Sequence, residues 1–145
     1  MKNITKIRMQ VATIANRLNR KIKDLSAAFR QAWQIVKGKE LVSRISGVTF
    51  GRRQEALKRF DRHEAASVNV SLEREAGNPH DTNAVKVNVS VAGGKPFHLG
   101  YIPKDLAALI APLLDKGISL IARFKSVTGG LYDGMNYGAL ITVEM

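Results

Sequence analysis

No cysteine occurs in the 145 residues, which excludes a disulfide framework and thiolate metal sites and fits a reducing compartment. No apolar run is long enough to span a bilayer, and the start MKNITKIRMQVATIANRL lacks the unbroken apolar core of a signal peptide. The expected location is therefore cytoplasmic. A phosphate-binding glycine motif, a serine elbow and histidines paired at metal-ligand spacing are all missing. His63, His80 and His98 stand 17 and 18 residues apart. Asp81 follows His80 directly, but adjacent side chains on a strand point to opposite faces, which argues against a general-base pair. The sequence thus predicts no catalytic residue, no metal site, no cofactor and no small-molecule substrate.

Acidic residues are also few. Twelve Asp and Glu face 23 Lys and Arg, for a net charge of +11. The excess is uneven: residues 1–40 carry ten Lys and Arg against Asp24 and Glu40, a net +8. A polyanion is the natural partner for such an arm, because each neutralised phosphate releases counterions without needing sequence. The plain alternative is a solvated helix face. Val11, Ile14, Leu18, Ile22, Leu25, Phe29, Ala32 or Trp33, and Val36 recur at spacings of three and four, one apolar stripe on a helix, with Gly38 placed to end it. The pattern fits one long helix or two with a break near Asp24. An isolated amphipathic helix is marginal in water, so the stripe must pack on the rest of the chain or pair with a protein partner. Its one Trp gives too little bulk to favour membrane binding, and no membrane partner is expected.

What the chain does have is alternation. A chain of this length forms one domain, burying roughly 68–70% of its unfolded surface. We divide it into the basic amphipathic arm, 1–40, and a β-barrel domain, 41–145. Val68, Val70 and Leu72 alternate with polar residues, and so do Val85, Val87, Val89 and Val91, the period of half-buried antiparallel strands. Between them Gly77, Asn78, Pro79, Asp81 and Asn83 supply turn chemistry. Leu41–Phe50 starts as a strand interrupted by Gly47, and 54–60 reads as a short helix with Ala56, Leu57 and Phe60 inward. Gly93-Gly94 turns the chain into Phe97, Leu99 and Tyr101. Pro103 then opens a helix with Leu106, Leu109, Ile110, Leu113 and Leu114 inward and Gly117 at its end. Pro112 predicts a kink or restart in that helix. Residues 118–127 and 139–143 are strand-like. The expected fold is mainly β with helices (α+β): an OB-like antiparallel barrel of five or six strands with one inserted helix, preceded by the helical arm.

The runs SGVTFGRRQEAL, EREAGNPHDTNAVKV and LGYIPKDLAALIAPLLDKG together resemble a HIRAN domain over about 41–145, of the free-standing bacterial or phage type. The resemblance implies a non-enzymatic module that grips single-stranded DNA at its 3′ end in an OB-like barrel, in DNA replication, repair or recombination. Carried over by position, it assigns nucleic-acid contacts to Thr49, Phe50, Gly51 and Arg52 at the end of the first strand. It assigns others to Asn78, His80 and Asp81 in the loop, Asn83 and Lys86 in the next stretch, and Tyr101. The family often has a basic residue and aromatics where Thr49, Phe50 and Gly51 stand, and Tyr or Phe at His80. Phe124 and Lys125 are added as an aromatic and a charge near the last hairpin. The plain reading of Asn78 and Asp81 is that they bond their own backbone.

A carboxylate repels a phosphate and accepts from a hydroxyl. Asp81 is therefore the expected selector of a 3′-hydroxyl end, with His80 or Phe50 stacking on the last base and Lys86 and Arg52 on the backbone. The alternative function is a protein–protein adaptor that recruits replication or repair factors, with the arm docked in a partner's groove.

Overall fold

The computed structural model describes residues 9, 13, 40–91 and 93–144. Met9 and Thr13 are helical, and the Thr13 hydroxyl donates to the Met9 carbonyl at 2.8 Å; the rest of the expected arm lies outside the described residues. Six strands form one antiparallel sheet: β1 (Leu41–Arg44), β2 (Val68–Arg74), β3 (Val85–Val91), β4 (Phe97–Tyr101), β5 (Ile121–Gly129) and β6 (Tyr137–Glu144). Their order is β1-β6-β5-β2-β3-β4. Two helices, α1 (Arg53–Phe60) and α2 (Lys104–Asp115), and a 3-10 turn at Ala65–Ser67 complete the described elements.

The sheet curls on itself. Just past β1, the Ser46 N–H donates to the Tyr101 carbonyl at 2.8 Å, and the Tyr101 N–H returns a bond to Ser46 at 2.9 Å. That bridge joins the two ends of the sheet order and makes the barrel OB-like. Gly100 permits the approach, since a Cβ there would sit against the Ser46 carbonyl oxygen and 2.6 Å from Ile45 Cγ2.

The alternating strands behave as their period requires. β2 and β3 pair in unbroken register from Val68↔Val91 to Arg74↔Val85. Val85, Val87 and Val89 are buried while Lys86, Asn88 and Ser90 face outward. The core continues through Leu99, Ile141 and Val143 into Leu57 of α1 and Leu106, Leu109, Ile110 and Leu113 of α2.

The Gln54 side chain fixes α1 to β6: its Nε2 donates to the Val48 and Tyr137 carbonyls, and its Oε1 accepts the Tyr137 N–H. α2 ends as its glycine foretold. Gly117 adopts φ +76, the Ile118 N–H reaches the Leu113 carbonyl and the Gly117 N–H reaches Leu114, the paired bonds of a Schellman close.

Three local readings change. α2 does not restart at Pro112 but runs through it to Asp115. Pro103 is the N-cap rather than the first helical residue, its carbonyl accepting from Ala107 N–H at 2.8 Å. Thr49 and Phe50 are not the end of a strand. Gly47, at φ +75, takes the chain out of extended conformation into a turn that leads straight into α1.

Candidate nucleic-acid interface

The loop between β2 and β3 is held by side chains from its own ends. Arg74, last in β2, donates Nη1 to the Ala84 carbonyl at 3.1 Å and Nη2 to the Thr82 carbonyl at 2.6 Å, while its Nε reaches Asp115 on α2 at 3.1 Å. The Asn78 side chain is engaged at both ends: Oδ1 accepts the N–H groups of His80 and Asp81 at 2.8 and 3.0 Å, and Nδ2 donates to Glu75 at 2.8 Å. Asp81 Oδ1 accepts the Asn83 N–H at 2.9 Å. These are Asx turns, so the self-bonding reading of both residues holds. For Asp81 it leaves acceptor capacity, because an ionised carboxylate has about four lone-pair sites and this bond uses one. His80 stands exposed at the tip.

Beside the loop lies the outer face of β3 and β4. Register there shifts between Val87 and Asn88, with Val87 opposite Gly100 and Asn88 opposite His98. The bulge accommodates Leu99 as an extra residue and so turns both His98 and Tyr101 outward, although residues three apart on a regular strand face opposite ways. Their rings meet edge to face, with centroids 4.8 Å apart. His98 Nε2 lies 2.9 Å from the Gly100 carbonyl, which can only accept, so Nε2 carries the proton and Nδ1 accepts from Arg53 Nη2 at 3.3 Å. Burial, reinforced by the charge of Arg53, holds the His98 pKa below its ordinary value. The imidazole is therefore a neutral spacer between Arg53 and Tyr101.

Glu75 is the hub of the site. It takes hydrogen bonds from Asn78 and from the Tyr101 hydroxyl, the latter at 2.9 Å, and pairs with Lys86 at 3.2 Å. Those bonds, Asn78 first and Tyr101 second, lower its pKa to about 2. The same pair raises Lys86 through its bond to Glu75, while burial and then Glu75 raise the Tyr101 phenol. A fixed negative charge thus sets the positions of one amide, one phenol and one ammonium.

Between loop and barrel seam runs a cleft of about 410 Å³ bordered by Asn78, His80, Asp81, Tyr101, Ser46 and Lys104. It brings together four of the residues named from sequence. Phe50, 68% exposed, does not border the cleft; its ring and that of Tyr101 both approach Gly47. Thr49 and Gly51 are exposed in the adjoining turn, and Arg52 borders a different groove, against α1. Asn83 is half-buried, its N–H given to Asp81.

Two assignments are corrected. Phe124 is 7% exposed and packs edge-on against Phe60 in the core, so its ring offers no stacking surface. Lys125, exposed on β5, is separated from β4 by β2 and β3, and it does not border the cleft. Lys86 pairs with Glu75 and does not border the cleft, whereas Lys104 does. Sequence reasoning passed over Arg53, Arg74, Glu75, His98 and Lys104. Arg74 and Glu75 were in view as the acid–Arg run EREAG preceding the loop, whereas His98 needed the bulge to become a neighbour of Tyr101.

Fold and cleft define a small OB-like barrel with a surface site made by one loop and the barrel seam. Over residues 44–137 the chain matches the HIRAN domain model, and it belongs to the HIRAN domain family. It is 44% identical over 52 residues to helicase-like transcription factor of Oryctolagus cuniculus, a match that takes in 36% of this chain and 5% of that protein. A crystal structure of the HIRAN domain of human HLTF is 22% identical, with 72% of this chain and 74% of that one covered and a TM-score of 0.41. A Lactobacillus plantarum protein of known structure is 23% identical over 73% of this chain and 95% of its own, with a TM-score of 0.42.

Proposed function

We propose that this member of a DNA-binding family grips single-stranded DNA by a free 3′-hydroxyl end in the Asn78–Tyr101 cleft, as a binding module without chemistry of its own. The carrying observation is the combination of acceptor, cation and aromatics around one cleft: Asp81, Lys104, and the rings of His80 and Tyr101. Asp81 accepts the terminal hydroxyl. His80 or Phe50 stacks on the last base, an interaction worth about 1–3 kcal/mol. Lys104 neutralises the phosphate that precedes the end. A 3′-phosphate in place of the hydroxyl meets a like charge at Asp81, which costs roughly 4 kcal/mol at 4 Å and an effective dielectric near 20.

Fluorescence polarisation with 3′-hydroxyl, 3′-phosphate and circular single strands tests this. Tightest binding to the hydroxyl end, with the preference abolished in Asp81→Ala, is the expected result. Equal affinity for all three ligands would reduce the loop to a turn. No saturable binding at physiological salt would instead favour a protein–protein adaptor.

A further inference from the structure

A second groove, of about 400 Å³, lies between α1 and the β3–β4 hairpin. Its apolar wall includes Phe60 and Phe97, both half-buried, and its rim carries Arg52, Arg59 and Lys95 against a single acid, Glu55. Arg59 and Lys95 take no part in the barrel's salt bridges among the described residues. Exposed cations around an aromatic-lined channel match a strand that presents phosphates outward and bases inward.

The groove and the cleft are linked by a relay of neighbouring residues. Tyr101 borders the cleft and meets His98 edge-on; His98 bonds Arg53; and the neighbouring Arg52 borders the groove. We infer that the groove between α1 and the β3–β4 hairpin seats the single strand leading away from the gripped 3′ end, with Arg59 and Lys95 on its phosphates. The inference rests on the reading of the cleft and extends it from an end-binding pocket to a strand track.

The test compares a dinucleotide with a ten-nucleotide oligomer, both ending in a 3′-hydroxyl, on the wild-type chain and on Arg59→Gln/Lys95→Gln. Both substituted side chains are exposed, so the fold is unaffected. Every phosphate that is no longer neutralised flattens the log–log salt dependence by about 0.7 and weakens binding about fourfold at 0.15 M salt. The double variant is expected to bind the ten-mer about fifteenfold more weakly, with a slope shallower by about 1.4. Its affinity for the dinucleotide should stay at the wild-type value. Equal weakening on both oligomers, or an unchanged slope on the ten-mer, would overturn the track while leaving the end pocket intact. Failure of the wild-type chain to bind either oligomer would overturn both readings.

Discussion

Arg74 offers the sharpest test of how the binding loop is held. Changing it to Met keeps the aliphatic stem and removes the guanidinium, and with it two bonds to loop carbonyls and one to a carboxylate. A hydrogen bond from a charged donor contributes about 1.5–3 kcal/mol. Thr82 is exposed, so water readily replaces its partner, and the buried Ala84 carbonyl keeps its bond from the Glu75 N–H at 2.9 Å, so the low end applies at both. The Asp115 side chain is 53% exposed, which limits that pair to about 1 kcal/mol or less. Arg74→Met should therefore cost about 3–4 kcal/mol, and Asp115→Asn less than about 1. At this chain length each kcal/mol lowers Tm by roughly 4 °C, so the two variants should separate by about 10 °C. Urea unfolding followed by circular dichroism gives both values. The two variants unfolding within about 0.5 kcal/mol of each other would refute the claim that Arg74 holds the loop through the backbone rather than through α2.

Three more outcomes follow from the hub, the bulge and the seam. The Glu75 pKa falls from 4.5 to about 2 on folding, so its contribution is full above pH 4.5 and is lost as pH drops from there towards 2. Glu75→Gln should be less acid-sensitive in that window than wild type, and parallel stability–pH curves from urea titrations would refute this. His98, whose pKa lies below 6.5 in the folded state, adds a loss of stability as pH falls beneath that value, and its imidazole signals by NMR should titrate with a midpoint under 6.5. Gly100→Ala should cost about 3 kcal/mol, since the new Cβ meets the Ser46 carbonyl and Ile45 across the seam. Thermal denaturation indistinguishable from wild type would show that the seam is not closed as described.

How far the sequence revealed this site depends on the distance over which each interaction acts. The alternation of Val85, Val87 and Val89 is written residue by residue, and the strand they form appears with the bounds it implies. Gly117 is equally local, because only the last turn of one helix decides whether a left-handed residue is needed. Glu75 and Lys86 are eleven positions apart, and nothing in either neighbourhood says that the two meet; the register Glu73↔Lys86 brings the lysine there. His98 is further out of reach. Its company with Tyr101 depends on a bulge whose extra residue, Leu99, looks like any other apolar strand residue. Phe124 misled for the opposite reason: an aromatic beside a basic residue suggests a binding surface, yet the two face opposite sides of β5, and the ring went to the core.

The cleft and the closure of the barrel are one construction. A curled sheet whose edges are β1 and β4 must hide or pair the backbone groups there, and the Ser46–Tyr101 bridge does so with two hydrogen bonds. Tyr101 spends its backbone on that seam and leaves its side chain outward, where Glu75 fixes the hydroxyl and His98 the ring. The next residue, Ile102, bonds β3 at Val85, and Lys104 begins the helix two positions later. Four consecutive positions thus join the barrel, orient an aromatic, turn the chain and place a cation on the cleft. Glycine at 100 is what lets the seam form against Ser46. Anything that widens the seam moves Tyr101 and Lys104 relative to Asp81, which is held by its own loop through Arg74 and Asn78. The geometry of the proposed end pocket is therefore set by two anchors, the seam on one side and the Arg74-held loop on the other, tied together where Glu75 accepts from both Tyr101 and Asn78. A barrel that is loosened at either anchor should lose discrimination between strand ends before it loses its affinity for the strand.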